Sequence, residues 1–158
     1  MRSTVLVAVI VMCVVLSVVA LATTAPAPIY MSNGTLGGGK LNNYTLGVEG
    51  GAGANNIGLL IRTYGKVTYV DTTNHYFYID DGTGRMDGTR RSDNNAFVLG
   101  VRVTYNGLAS GVPTITPPLE GNKVAVTGII STCLVPETTG LVRPNVRVRR
   151  GADILLVP

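Results

Sequence analysis

In the stretch "HYFYIDDGTG", Tyr76 and Tyr78 stand two residues apart, a spacing that in an extended chain puts both rings on one face and leaves Phe77 and Ile79 on the other. A tyrosine ring stacks on a base or a sugar, and a cation beside it follows a chain of phosphates or carboxylates. The matching cations are Arg62, Lys66 and Arg102, with a third tyrosine, Tyr64, between the first two. These six residues, Arg62, Tyr64, Lys66, Tyr76, Tyr78 and Arg102, are the candidate ligand-binding set. The chemistry they suit is the holding of an anionic polymer, with no bond broken. The plainer use of the same residues is structural: tyrosine favours strands, and cross-strand Tyr–Arg or Tyr–Lys pairs stabilise a sheet by about 0.2–1 kcal/mol without a ligand. A secondary basic cluster, Arg143, Arg147, Arg149 and Arg150, runs beside Val146 and Val148 and reads as a solvated strand face unless it adjoins the tyrosines.

Catalysis finds little support. The only histidine, His75, falls in a turn, and there is no Cys/His cluster, G-x-S-x-G elbow or phosphate loop. A carboxylate pair such as Asp80 with Asp87 has no neighbour in the sequence that would shift its proton affinity. The acidic turn "DDGTGRMDG" lacks the D-x-D-x-D-G spacing and closing Glu of a calcium loop, and Asp-Gly pairs are ordinary turn formers. The expectation is a binding protein with no catalytic residue, no metal and no cofactor.

Twenty glycines and eight prolines among 158 residues, with only 14% charged, point to one domain rich in strands and turns. Residues 1–22 carry an early cation, Arg2, an apolar run from Val5 to Ala22 and the triplet Ala20-Leu21-Ala22, which reads as a secretory signal peptide cut after Ala22. The rest of the chain is then secreted or held at the cell surface, touching a membrane only if that run stays uncleaved. Cys133 is the one cysteine beyond the signal, so no disulfide forms within the mature chain and the thiol reads as a small buried hydrophobe. The net charge of +4 is modest and matters only where it clusters.

Residues 23–56 are rich in Gly, Asn, Thr and Pro and offer neither helical periodicity nor bulky residues, so they read as a flexible or loosely docked leader. Its N-x-T sequons at Asn33 and Asn43 are glycosylation sites only where the machinery exists. Order is expected from Ile57. "LLIRTYGKVTYV", "YFYID", "GVRVTY" and "KVAVTGIISTCLV" make four strands, residues Arg85 to Asn95 a polar loop, and "LVRPNVRVRR" with "ADILLV" a last strand or strand pair. The period of two turns Ile61, Val67, Phe77, Ile79, Val101, Val103, Val124, Val126, Val146 and Val148 inward. Glycines at 65 and 128 mark bends, and five such strands at residues 57–158 suggest a small closed barrel.

The segments "LLIRTYGKVTYVDTTNHYFYIDDGTG", "GVRV", "PPLEGNKVAVTGIIS" and "RPNVRVRRGADILLV" resemble bacterial secreted OB-fold modules related to the nucleic-acid-binding OB group, over about Ile57 to Val157. The resemblance implies an all-β, five-stranded OB-like barrel whose outer face takes single-stranded nucleic acid, an anionic polysaccharide or a protein. It departs from the usual pattern at the Pro-rich "GVPTITPPLEGN", where OB barrels commonly carry a helix. Two other classes stay open: an extracellular structural or adhesive protein that self-associates through the leader and exposed strands, and a carbohydrate-binding module using the same tyrosines with little salt dependence.

Overall fold

The structure is a computed structural model that describes residues 26–106, 114–134 and 141–158; the expected signal peptide, residues 1–22, lies outside them. The described residues form nine strands: β1 (Ile29–Tyr30), β2 (Leu60–Asp71), β3 (Tyr76–Asp80), β4 (Met86–Arg90), β5 (Phe97–Leu99), β6 (Val101–Thr104), β7 (Lys123–Leu134), β8 (Val142–Arg147) and β9 (Ile154–Val157). Seven make one mixed sheet in the order β1-β2-β3-β6-β8-β7-β9, and β4 pairs only with β5. The protein is thus all-β, as expected, but a clean five-stranded barrel is too simple a description. Strands β2, β3, β6, β8 and β7 follow one another by hydrogen bonding, and β7 bonds back to β2, so their pairing runs in a closed circuit. Strands β1 and β9 extend it, and the β4–β5 hairpin stands apart.

Strand β2 serves two neighbours: Leu60 to Lys66 pair with β7, and Lys66 to Asp71 with β3. The changeover requires strands to crowd, and glycine makes room for it. A Cβ on Gly65 would lie 2.9 Å from the Asp80 backbone, and one on Gly128 would lie 2.7 Å from the Arg147 carbonyl oxygen. The register shift falls later than the expected bend at Gly65, between Val67 and Tyr69. Its consequence is a change of parity: Val67 points into the core, Val70 packs against that core, and Tyr69 joins a second cluster on the outside.

All ten positions read as inward are buried, and they form one core with Leu36, Tyr105, Ile115 and Ile130. Leu36 overturns the expectation of a loose leader and of order beginning only at Ile57. Its side chain is 0% exposed inside the core, and β1 pairs in parallel with β2 through Ile29↔Ile61 and Tyr30↔Arg62. The glycine-rich stretch is held by its backbone instead of by bulk. Val48 N donates to Gly38 O at 3.1 Å, Gly39 N donates to Gly53 O at 3.1 Å, and Asn56 bonds both Gly37 N and Thr35 O. At Gly38, φ is +61° and a Cβ would overlap the Ala54 carbonyl, so composition that looks like linker is a packing requirement. The Asn33 sequon is likewise structural: its Nδ2 donates to Ile79 O at 2.9 Å and its Oδ1 accepts from Thr63 Oγ1 at 2.7 Å. That nitrogen is buried and engaged in this fold, whereas Asn43 is exposed.

The segment expected to be a polar loop from Arg85 to Asn95 is part of the β4–β5 hairpin, which lies over the outer face of β2 and β3. Thr68 Oγ1 donates to Leu99 O at 2.5 Å, Arg91 Nη1 donates to Thr68 O at 2.9 Å, and Arg91 also pairs with Glu120 at 3.1 Å.

Candidate binding surfaces

The six sequence-selected residues do not share one face. Tyr76, Tyr78 and Arg102 come together on β3 and β6, where the register sets Tyr78 opposite Arg102. They point outward from the core as expected, but the hairpin covers them. Tyr78, expected to be an exposed stacking ring, is 0% exposed. Its hydroxyl donates to Asp87 Oδ2 at 2.5 Å and accepts from Arg102 Nε at 2.9 Å, with Thr89 Oγ1 2.8 Å away. Burial first, and then the Asp87 charge, push the phenol well above its usual proton affinity, so it stays protonated and serves as a donor. The Arg102 guanidinium lies 4.2 Å from the centre of the Tyr76 ring and its Nη2 donates to Thr89 Oγ1. Tyr69, Tyr76, Tyr78 and Val98 thus make a small second core, joined to the hairpin by a polar cluster. Its ring centres lie 5.8 Å apart between Tyr76 and Tyr78, which meet edge to face, and 6.4 Å apart between Tyr69 and Tyr76.

The other three candidates, Arg62, Tyr64 and Lys66, alternate along β2 and face away from the core on the stretch that pairs with β7. The structure adds residues that sequence reasoning missed. Pairing with β1 brings Tyr30 beside Arg62, its ring centre 6.0 Å from the guanidinium; pairing with β7 sets Ala125 opposite Tyr64 and Lys123 opposite Lys66. Strand β9 continues the face with Leu155 opposite Ala125 and Val157 opposite Lys123. Tyr30 is 74% exposed and Tyr64 45%. A shallow cavity of about 320 Å³ lies between them, lined by Met31, Ser32, Arg62, Thr63 and Ala125. Arg62 is steadied there by its Nε–H bond to Thr127 Oγ1 at 2.8 Å. The missed signal was the Ile-Tyr-Met run at residues 29–31, the only dense apolar stretch ahead of Leu36 in the described residues.

The acidic turn is occupied with local bonding. Asp80 accepts from Gly84 N, Asp81 accepts from Asn33 N and Thr83, and Asp87 is buried against Tyr78 and the Thr89 amide. Of the secondary basic cluster, Arg143 and Arg147 lie on β8, but Arg149 and Arg150 follow it and meet the buried Asp153 at 3.1 and 3.6 Å. They do not continue the strand face. Cys133 is half-buried and burial pushes its thiol up, while the Tyr78 hydroxyl that meets Asp87 is enclosed under the hairpin.

Compared with known proteins, the chain matches no family model, no curated protein and no solved structure.

Proposed function

We propose that this protein is a non-enzymatic binding module on an OB-like barrel, and that it holds a single-stranded nucleic acid or another anionic polymer on the outer face of β1, β2, β7 and β9. The pairing circuit supports the barrel: first strand to second, second to third, third in parallel to fifth, fifth to fourth, and fourth back to first, which is the OB order. The observation that carries the binding surface is the exposed pair Tyr30 and Tyr64 flanking Arg62, with Lys66 and Lys123 next along the same face. Two exposed rings offer stacking, and three cations offer contacts along a backbone. Lys66 and Lys123 also stand directly opposite each other, an arrangement that disfavours the free sheet and is relieved by an anion.

Salt dependence tests the polyanion. On a single strand each neutralised phosphate contributes about 0.7 to the slope of log affinity against log salt. Changing Lys66→Gln and Lys123→Gln together is therefore expected to flatten that slope by about 1.4 in anisotropy titrations with a labelled oligothymidylate. An unchanged slope would remove this face from the polymer's path; binding insensitive to salt in the parent would favour the carbohydrate-binding alternative.

The self-association alternative rests on a different observation. Leu119, Leu155 and Leu156 are exposed, and β9 lies at the end of the seven-strand sheet with its outer edge unpaired in that order. The stretch from Ile29 to Asn56 packs within one chain, so sedimentation of the purified protein separates the two readings.

A further inference from the structure

Three arginines come from neighbouring backbone where the hairpin meets the start of β8. Register places Arg102 of β6 beside Asn145 of β8, and Arg143 lies two residues earlier on the same side of β8, opposite Cys133 of β7. Arg85, at the base of the hairpin, reaches the same end of β6: its carbonyl accepts from Gly100 N, the residue preceding that strand. We propose that Arg85, Arg102 and Arg143 form a binding site for a phosphate-type oxyanion, separate from the Tyr30–Tyr64 face and independent of it.

Arg85 is anchored by Nη1, which donates to the carbonyls of Asn33 at 3.1 Å and Leu36 at 2.9 Å, so its guanidinium is fixed in place without an acid. Arg102 is held by Tyr78 and Thr89. Arg143 has its Nη1 3.5 Å from the backbone carbonyl of Glu49, and its Nε is buried with no partner. Glu49 forms no ion pair with it among the described residues. The carboxylate whose charge reaches this group is Asp87, and that carboxylate already accepts from Tyr78 and the Thr89 amide. Among the described residues, three guanidinium groups share the one carboxylate Asp87 in a half-buried setting. Burial first, and then the Arg143 charge, pull the Arg85 proton affinity below its usual value, which places the two cations near each other. A buried donor without an acceptor is costly, and guanidinium forks match the oxygens of a tetrahedral anion. The free ion and a phosphate ester present the same oxygens.

Two probes separate those sources: inorganic phosphate and adenosine monophosphate, each titrated at ionic strength matched with sodium chloride. In the parent protein a saturable rise in melting temperature is expected, together with slower alkylation of Cys133, followed by peptide mass spectrometry because the thiol stands across from Arg143. Arg143→Gln should weaken the response roughly tenfold or more, and Arg143→Lys, which keeps the charge without the fork, severalfold. If the glutamine variant unfolds, the lysine variant carries the comparison. Tighter binding of the nucleotide assigns the site to a phosphate borne on a larger molecule, and tighter binding of the ion to free phosphate. No saturable response to either probe, or an equal response in the Arg143 variants, overturns the proposal.

Discussion

Tyr78→Ala should cost the fold about 3–5 kcal/mol, the range for removing a fully buried aromatic ring. The loss has two parts that can be separated. The ring fills the space between the outer face of β3 and the hairpin beside Tyr69 and Val98, while the hydroxyl satisfies the buried Asp87 and steadies Arg102. Tyr78→Phe keeps the first and deletes the second, so it should cost about 1–3 kcal/mol, mostly from leaving a buried carboxylate short of a donor. Urea unfolding followed by circular dichroism measures both as a lower midpoint. Tyr76, half-buried at the edge of the same cluster, should lose less on truncation. Were Tyr78 an exposed stacking residue, its truncation would leave stability nearly unchanged; a loss of unfolding free energy under about 1 kcal/mol would contradict its covered position.

Leu36→Ala is the second large effect, expected at about 2–5 kcal/mol. Leu36 packs in the main core although it comes from a stretch that reads as linker. Its place depends on the turn at Asn33–Thr35, on Asn33 reaching Ile79 and Thr63, and on Asn56 closing the glycine-rich loop behind it. A truncated chain beginning at Ile57 would expose the cavity Leu36 fills and remove β1 from the sheet, so its unfolding midpoint should fall at least as far as that of Leu36→Ala. A truncated chain as stable as the parent would restore the leader to an appendage.

The strands of the circuit were legible because their period of two is strong: Ile61, Val67, Phe77, Ile79, Val101 and Val103 alternate with polar or aromatic residues, and each is buried. The two glycine positions were legible as well, since glycine inside a β-branched run signals crowding. Alternation does not say what lies on top of an outward face. Nothing in "RMDGTRRSDNNAFVL" has the β-branched density of a strand, yet Asp87, Thr89 and Val98 of that hairpin close over Tyr78. Exposure of the opposite face of a strand is decided by distant segments, and period-two reasoning treats it as solvent. The same gap hid Tyr30, whose partnership with Arg62 is a contact across 32 positions created by parallel pairing. The composition of residues 23–56 reads as a flexible or loosely docked leader because composition reports side-chain burial, whereas the glycine-rich part of that stretch is fixed by main-chain bonds and the Asn56 amide.

In the proposed function the exposed face of β1, β2, β7 and β9, and not the pair Tyr76 and Tyr78 beneath the hairpin, carries the ligand. The most direct measurement is fluorescence anisotropy of a labelled oligothymidylate with the parent protein, the Tyr30→Ala/Tyr64→Ala double variant and Tyr78→Phe, at one low salt concentration. At about 1–3 kcal/mol for each stacked base, the double variant should bind at least tenfold more weakly, while Tyr78→Phe, kept below its unfolding midpoint, should bind as the parent does. Equal affinity for the parent and the double variant, or a loss confined to Tyr78→Phe, would contradict the account.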